Sequence, residues 1–401
     1  MPLCFVAFCG LLRPDFGQGV FAFRKGGWKM PEQDYMRRAI ELAKNGVGWT
    51  APNPMVGAVL VKDGRVISAG WHRSCGGLHA EREALAALTE PARGATLYVT
   101  LEPCCHHGRT PPCTDAILEH GITRVVIGSR DPNPLVSGQG AAQLRAAGVE
   151  VVEDFLRAEC DALNPEFFWY ITHKTPYAVM KYAMTLDGKI ASRTGASRWI
   201  TGETARAHVH ALRGRYAAIL AGIGTVLADD PMLNCRLPGA HQPLRVILDS
   251  RLRIPPESQI CKTAHEYPTL VVCCFPDPER RHALEALGLE VAVLPEADGR
   301  VSLPALMALL GQKQISSVLI EGGGQVHESA LRAGIVRHVC AYIAPKLLGG
   351  RDAKTPVEGL GAASPDGAAL LDGLRLTRLG EDILLEYDVK KGMDADVHGH
   401  C

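Results

Sequence analysis

The sequence has no long hydrophobic run and no excess of charge of either sign. None of its 401 residues lies in an unbroken stretch of 18 or more apolar side chains, the length that a membrane-spanning helix needs. Lysine plus arginine and aspartate plus glutamate both number 43, so the formal net charge is zero. Such a balance offers no general attraction for nucleic acid or for an anionic membrane. The sequence therefore predicts neither kind of partner.

Two further patterns are missing. The 13 cysteines are odd in number and scattered, which does not suit a disulfide framework. Free thiols are typical of a reducing compartment, and we therefore expect a cytoplasmic protein. A Gly-x-Gly-x-x-Gly fingerprint does not open the second half of the chain, which argues against a Rossmann domain there.

The chain is longer than the length that a single hydrophobic core ordinarily supports, and we therefore predict two domains. The composition is globular, with 47% hydrophobic and 21% charged residues. Residues 1–29 have no clear periodicity and are interpreted as a disordered leader. We predict a first domain over residues 30–174, a second domain over residues 175–390 and a frayed tail over residues 391–401.

A compact metal-ligand pattern stands out in the first domain. His79 is followed by Glu81, and Pro103-Cys104 and Cys113 come later in the chain. One histidine and two cysteines are what a catalytic zinc takes from a protein while its fourth position stays open for water. Zinc makes hydroxide available near neutral pH, and Glu81 is suited to shuttle the protons. This order of residues is the signature of zinc-dependent base deaminases.

The spacing of Cys104 and Cys113 distinguishes this motif from that of most zinc-dependent deaminases. They are nine residues apart, whereas three is usual in that superfamily, and Pro111 and Pro112 stiffen the insertion. The ending His-His-Gly-Arg-Thr-Pro-Pro-Cys resembles the deaminase half of the bifunctional deaminase–reductase family of riboflavin biosynthesis. By matching position, His79, Cys104 and Cys113 would hold the metal.

The resemblance also bears on the neighbours of these ligands. It implies that Cys105 is not a ligand and that His106 and His107 face substrate or solvent. Asn53 lies in the loop before the first predicted strand, where the deaminase superfamily has a substrate-contacting Asn. An ordinary turn residue between Pro52 and Pro54 explains it equally well, and both interpretations stay open.

The order of predicted elements indicates α/β folds throughout. In the first domain, strands alternate with helices after a hairpin at Asp63-Gly64, which predicts a three-layer α/β/α sandwich with zinc at helix N-termini. The deaminase motif implies the same cytidine-deaminase-like fold. A connecting helix is predicted over residues 155–172. In the second domain the predicted strands are 177–183, 217–222, 244–249, 269–275, 289–294, 317–321, 375–379 and 383–389.

A second chemical signal lies in the second domain. Ile320-Glu321 runs into Gly322-Gly323-Gly324 and a predicted helix, so that backbone N–H groups could approach a phosphate. A tight strand-to-helix turn accounts for the glycines equally well. The order of this segment and of 182–191, 197–200 and 224–231 closely resembles the reductase half of the same family, which has a dihydrofolate-reductase-like α/β fold.

The resemblance, which covers about residues 30–390, implies an NADPH site and a substrate site in this domain. The NADPH site would be lined by Ala183, Trp199, Thr225, Asp229, Ser250, Gly323, Gly324, Gln325, Val326, His327, Glu328 and Ser329. The substrate would be contacted by Ser197, Arg213, Leu233, Arg236 and Glu321. Arginine forks suit a phosphorylated sugar because they bind phosphate oxygens bidentately. Lys181, Asp187 and Lys189 are expected near the nicotinamide, although a purely structural role explains each of them equally well. No general acid stands out.

The function implied by the resemblance is two consecutive steps of riboflavin synthesis, carried out by a homo-oligomer. The first is zinc-dependent deamination of 2,5-diamino-6-(5-phosphoribosylamino)pyrimidin-4-one, and the second is NADPH reduction of the ribosyl group to ribityl. A nucleic-acid base deaminase would share the zinc motif, but it would need a basic groove and would leave the second domain without a role. A zinc-stabilised binding protein would usually close its metal site with four protein ligands and would not need Glu81.

Overall fold

The computed structural model describes residues 30–106, 111–133 and 136–393. The predicted leader, His107 and most of the predicted tail lie outside the described residues. Every helix within the described ranges is too short or too polar to span a bilayer.

The described part of the first domain forms a five-stranded sheet in the order β2-β1-β3-β4-β5. Its strands are β1 (Gly57–Lys62), β2 (Arg65–Trp71), β3 (Thr96–Leu101), β4 (Arg124–Ser129) and β5 (Glu150–Val152). The predicted hairpin joins β1 to β2, because Asp63 and Gly64 take the positive φ angles, 51° and 75°, that a tight hairpin turn requires. The remaining strands β3, β4 and β5 run parallel.

Helices cover both faces of this sheet. They are α1 (Glu32–Ala43), α2 (Ala80–Ala86), α3 (Cys113–Glu119), α4 (Gln139–Ala146) and α5 (Arg157–Asp161), and a further helix, α6 (Pro165–His173), leads from them to the second domain. One core packs α1 and α5 against one face, with Met36 and Val59 at its centre. The other packs α2, α3 and α4 against the opposite face, around Ile117 and Leu144. The predicted three-layer sandwich is confirmed.

The prediction of one connecting helix over residues 155–172 is wrong. The chain forms two helices, α5 and α6, with a turn between them at Leu163-Asn164. The Asn164 side chain accepts a hydrogen bond from the Met55 N–H at 2.7 Å and donates one to the Met55 carbonyl at 2.8 Å. Because this amide binds the segment leading into β1, the chain bends there instead of continuing as one helix.

The described part of the second domain forms a nine-stranded sheet in the order β10-β9-β8-β7-β13-β6-β14-β16-β15. Its strands are β6 (Tyr177–Thr185), β7 (Ala218–Gly222), β8 (Leu244–Leu248), β9 (Thr269–Cys273), β10 (Glu290–Val293), β13 (Ser317–Ile320), β14 (Val336–Ala344), β15 (Leu370–Leu379) and β16 (Asp382–Lys391). The strands from β10 to β14 are parallel, and β16 and β15 complete the sheet in antiparallel pairing. A two-stranded hairpin, β11 (Glu296–Ala297) with β12 (Arg300–Val301), lies outside it.

Helices again pack on both faces of the sheet. They are α7 (Glu203–Arg215), α8 (Ile223–Asp229), α9 (Gln259–Lys262), α10 (Pro278–Ala286), α11 (Leu303–Gln312) and α12 (Gly324–Arg332). One core contains α7 to α10, and the other contains α11 and α12. The interior strand β14 is absent from the sequence-based prediction. The chain passes from α6 to β6 at residues 174–176, where the domain boundary is predicted.

Candidate active sites

The three predicted zinc ligands converge in the first domain. The Nδ1 atom of His79 lies 3.5 Å from Cys104 Sγ and 3.4 Å from Cys113 Sγ. His79 is the N-cap residue of α2, and Cys113 opens α3. The Cys113 N–H donates to the Cys104 carbonyl at 3.0 Å, which fixes the second cysteine against the first.

The loop that carries Cys104 is held by a buried carboxylate. Glu102 follows β3, and its side chain accepts hydrogen bonds from the Gly138 and Ala141 N–H groups at 3.0 and 3.2 Å, at the start of α4. A Cβ on Gly140 would lie 2.1 Å from the Pro103 carbonyl oxygen, so a glycine is needed there. Glu102 is therefore a helix-capping residue that orients the Pro103-Cys104 segment.

These donors fit a zinc ion. A tetrahedral zinc with ordinary bond lengths separates a nitrogen ligand from a sulfur ligand by about 3.6 Å. The observed nitrogen–sulfur distances agree with this value, and all three donor atoms lie within 4.8 Å of one another. Contact with Cys113 lowers the pKa of the Cys104 thiol, and the same contact raises that of Cys113. The pair therefore readily loses one proton when a cation binds.

Glu81 is positioned for proton transfer. It lies in the first turn of α2, two residues beyond His79, and only 4% of it is exposed. Burial raises the pKa of its carboxyl, although the charge of His79 opposes that effect. A raised pKa suits a group that must both accept and release a proton near neutral pH.

A cavity of about 390 Å³ is lined by Glu81 and by the metal ligands His79 and Cys104. Asn53 lies in its wall, and its Nδ2 is 3.2 Å from Nε2 of His72, a buried residue that the sequence prediction missed. Asp131, also missed, lines the cavity, and burial raises the pKa of its carboxyl to about 6. His106 lines the cavity as well. Its predicted position facing substrate or solvent stays a prediction.

A second group of described residues also brings three potential metal ligands within 4.8 Å: His338, Cys340 and Glu386. Here, however, Nδ1 of His338 lies 2.8 Å from Asp388 Oδ1, and Nε2 lies 3.5 Å from Glu386 Oε1. Burial raises the pKa of the Cys340 thiol to about 12, which keeps it protonated. We therefore interpret this cluster as an ion-pair network between β14 and β16.

The second domain contains a separate cavity of about 670 Å³. Its wall includes the N-terminal turns of α8 and α12, and the N–H groups and dipole at a helix N-terminus favour phosphate. Arg251, Arg253 and Arg300 also line it. These features fit a dinucleotide that carries several phosphates. The predicted site residues in the wall are Ser197, Thr225, Asp229, Ser250, Glu321, Gly323, Gly324, Gln325, Val326 and Ser329.

The three consecutive glycines differ in their surroundings. A Cβ on Gly322 would lie 2.7 Å from Ala221 Cα, and one on Gly324 would lie 2.7 Å from the Thr355 carbonyl oxygen. These two positions are set by close packing. Gly323, by contrast, has a φ of 36° and an ideal Cβ there would meet nothing closer than Thr225 Oγ1 at 3.8 Å. Its backbone therefore faces open space at the start of α12.

Glu321 lies between two cations at the edge of this cavity. It accepts hydrogen bonds from Arg213 Nε and Nη2 at 2.7 and 2.8 Å, and Lys181 Nζ lies 3.5 Å away. Burial by itself would raise the pKa of Glu321, but the charges of Arg213 and Lys181 lower it to about 2. The carboxylate therefore stays ionised and holds both cations in place.

The remaining predicted residues do not line this cavity in the described structure. Arg213 reaches it only through Glu321. Leu233 packs in the core, and Arg236 is exposed. Trp199 is 60% exposed and Ala183 is half-buried. His327 turns its Nδ1 to the Pro356 carbonyl, and Glu328 pairs with Arg332. Their predicted contacts with cofactor or substrate stay predictions.

Comparison with known proteins agrees with this arrangement. The model of the cytidine and deoxycytidylate deaminase zinc-binding region matches residues 30–129, and that of the RibD C-terminal domain matches residues 176–385. The riboflavin biosynthesis protein RibD of Actinobacillus pleuropneumoniae is 55% identical over 90% of this chain and 96% of its own length. That of Bacillus amyloliquefaciens is 42% identical over 91% and 98%.

Solved structures give the same result. Acinetobacter baumannii RibD aligns with a TM-score of 0.80 at 38% identity, covering 90% of this chain and 99% of that one. The diaminohydroxyphosphoribosylaminopyrimidine deaminase/5-amino-6-(5-phosphoribosylamino)uracil reductase of Thermotoga maritima aligns with a TM-score of 0.78 at 40% identity, covering 89% and 98%.

The fold and the two sites together define the class of protein: a bifunctional enzyme in which a zinc-dependent deaminase domain is fused to a reductase domain. The identities extend over nearly the full length of the relatives, so both halves are included. The chain belongs to the riboflavin biosynthesis protein RibD family, a family of bifunctional enzymes that use Zn²⁺ and NADPH. The predicted family, fold class and cofactors are confirmed.

Proposed function

We propose that the first domain removes the 2-amino group of 2,5-diamino-6-(5-phosphoribosylamino)pyrimidin-4-one. We propose that the second domain then reduces the ribosyl group of the product to ribityl. One observation carries the proposal. His79, Cys104 and Cys113 converge beside the buried carboxyl of Glu81, in a chain whose other half holds its own phosphate-suited cavity. A deaminase alone would leave that second cavity without a role.

In the deaminase step, bound zinc lowers the pKa of a water molecule to near neutrality. The Glu81 carboxylate accepts one proton of the attacking water and delivers it to a ring nitrogen. It then takes the remaining proton of the newly added hydroxyl and passes it to the amino group, which leaves as ammonia while the carbonyl forms. Its burial and raised pKa let it hold the proton between these transfers. Asn53 and His72, which contact each other in the cavity wall, orient the ring.

In the reductase step, NADPH held in this cavity would supply a hydride to C1 of the ribosyl group. The bond from that carbon to the ring oxygen breaks, and the oxygen takes up a proton from solvent, which leaves an open ribityl chain. The N-terminal turns of α8 and α12 bind its phosphates. Glu321, which lines the cavity, fixes Arg213 and Lys181 behind it, and we place the ribosyl group beside this carboxylate. Ser197 and Arg236 complete the proposed contacts with the substrate.

We also propose that the chain acts on these small molecules as a cytoplasmic homo-oligomer. The support for association is the edge strand β15, where Leu370, Leu371, Leu374 and Leu376 are all at least 40% exposed. Exposed apolar side chains on an edge strand favour pairing with another chain. Sedimentation of wild type and of Leu376→Lys would test this, and a monomeric wild type would contradict it.

The decisive experiment follows ammonia release and NADPH oxidation separately in the zinc-loaded protein. We expect wild type to release ammonia and then to oxidise NADPH. Glu81→Gln should do neither with the diamino substrate, yet it should still oxidise NADPH when given the deaminated product. Wild type that releases no ammonia would contradict the proposal. A Glu81→Gln protein that is as active as wild type would remove Glu81 from the mechanism.

A further inference from the structure

Part of the wall of the deaminase cavity comes from outside the deaminase sandwich. Phe167, Tyr170 and Ile171 of α6 line one side, and Gln314 of the second domain lies beside them. Gln314 follows α11, and its backbone has a positive φ of 60°. Its side chain is exposed. The second domain therefore contributes one residue, Gln314, to the wall of the proposed deaminase cavity.

Helix α6 is attached to the reductase domain along its length. At its N-terminal end, Glu166 pairs with Arg215 of α7 at 2.8 Å, and both side chains are mostly buried. Further along, the Arg337 guanidinium of β14 lies 4.3 Å from the centre of the Trp169 ring. The other anchor of α6, Asn164, binds the deaminase domain through Met55. These contacts hold the two domains in one arrangement.

The position of Gln314 is fixed by a backbone contact at the other end of α6. Tyr170 donates a hydrogen bond to the Gly311 carbonyl at 3.1 Å. A Cβ on Gly311 would lie 2.0 Å from the Lys174 carbonyl oxygen, so the ends of α6 and α11 touch through their backbones. Gln314, three residues further on, is held at the cavity wall by this contact.

We propose that Gln314 is a substrate-contact residue of the deaminase reaction, and that its carboxamide donates to the phosphate of the ribosyl-phosphate arm. This inference rests on the proposed deaminase function. The reacting ring carbon must lie beside Glu81 and the metal ligands, so the arm extends into the rest of the cavity. The Asp131 carboxyl disfavours phosphate on its side, and the Tyr170 hydroxyl already donates to Gly311. The carboxamide of Gln314 carries two N–H donors and no charge.

The test compares Gln314→Ala with Gln312→Ala in the zinc-loaded protein. Gln312 is the matched control because it is exposed, lies two residues earlier and is not in the cavity wall. For the phosphoribosyl substrate we expect Gln314→Ala to raise the KM of deamination by roughly tenfold to a hundredfold, the effect of losing one hydrogen bond to a charged group. The kcat should stay within twofold, and Gln312→Ala should match wild type.

Two further measurements make the outcome specific. Zinc content and the dissociation constant for NADPH should be unchanged in both variants, which shows that the fold is intact. With the dephosphorylated riboside as substrate, the KM difference between Gln314→Ala and wild type should fall below twofold. A Gln314→Ala protein with wild-type KM would overturn the inference while leaving the proposed function intact. An equal rise for both substrates would overturn the assignment to the phosphate. A wild type that releases no ammonia contradicts the proposed function itself.

Discussion

At the residue scale, two clusters with similar ligand chemistry differ in what surrounds the donor atoms. At His79, Cys104 and Cys113 the donors face one another with the spacing of a tetrahedral zinc. At His338 the imidazole already contacts carboxylates at both nitrogens, and the Arg375 guanidinium lies 3.4 Å from Nδ1. Added positive charge would be unfavourable there. Only the first cluster should therefore bind metal.

We expect one zinc per chain after dialysis, measured by elemental analysis. Cys104→Ser and Cys113→Ser should each reduce the zinc content to near zero, because a serine hydroxyl is a much poorer zinc ligand than a thiolate. Cys340→Ser and Cys105→Ser are the matched controls and should keep one equivalent. Two equivalents in wild type that drop to one in Cys340→Ser would contradict our interpretation of the second cluster.

The buried carboxylate of Glu321 should contribute to stability in a pH-dependent way. Because its folded pKa of about 2 lies below the ordinary carboxyl value, this stabilisation is fully present above about pH 4.3 and is lost as the pH falls toward 2. Its size is on the order of 3 kcal/mol. At pH 7, Glu321→Gln should lower the free energy of unfolding of the reductase domain by about that amount, since Arg213 and Lys181 lose their counter-charge.

Urea unfolding at several pH values would measure this effect. The difference between wild type and Glu321→Gln should shrink as the pH is lowered from 5 to 3. The exposed Glu257 provides a control, and Glu257→Gln should unfold like wild type at every pH. A stability difference that is independent of pH would show that shape, and not charge, is what Glu321 contributes.

The sequence was most informative where one residue type can do one kind of chemistry. His79, Cys104 and Cys113 were predictable because zinc restricts both the type and the order of its ligands. His72, Asp131 and Gln314 were not, because a histidine, an aspartate and a glutamine have many ordinary roles and no fixed spacing from the motif. Their place in the cavity wall depends on how distant loops come together.

At the element scale, the turn from β13 into α12 depends on glycines that are crowded by backbone. Gly322→Ala would bring a Cβ within 2.7 Å of both Ala221 Cα and the Gly222 nitrogen, so one of the strands must move. Overpacking of this kind costs about 1–3 kcal/mol. We expect that loss in the stability of the reductase domain, together with weaker NADPH binding, because the displaced strand carries the start of α12.

Gly224→Ala is the matched control for that substitution. Gly224 lies in the first turn of α8, and an added Cβ there would meet nothing within 4 Å. Denaturant unfolding should therefore show no loss of stability for Gly224→Ala. Equal destabilisation by Gly322→Ala and Gly224→Ala would contradict the prediction that close packing requires a glycine at position 322.

The interior strand β14 shows why some elements could not be predicted. Most of its side chains from Val336 to Ala344 are buried, so the apolar residues do not alternate with polar ones. A short continuous apolar run is ambiguous between strand and helix by periodicity alone. Its partners, β6 and β16, are also distant in the chain. The alternating strands and helices of both domains, by contrast, were predicted from local patterns.

At the scale of the whole molecule, the two domains have separate cores, and the zinc ligands belong only to the first. Residues of the deaminase sandwich make up two of the hydrophobic clusters, and residues of the reductase domain make up the other two. Removing zinc with a chelator should abolish ammonia release and lower the thermal stability of the first domain, because metal binding contributes free energy to folding. Binding of NADPH should stay within twofold, since its cavity lies in the second domain.

Whether removing zinc affects NADPH binding depends on α6, the helix that contacts both domains. If α6 only joins two independent units, adding zinc back should restore ammonia release without changing NADPH affinity at any stage. If loss of zinc instead weakens NADPH binding in parallel, the two sites are coupled, and the Glu166–Arg215 pair would carry that coupling. Glu166→Gln would then test this coupling. If the Glu166–Arg215 pair carries it, the variant should bind one zinc per chain as wild type does, but chelation should no longer weaken its binding of NADPH. Fluorescence titration with NADPH, before and after chelation, measures the effect in both proteins.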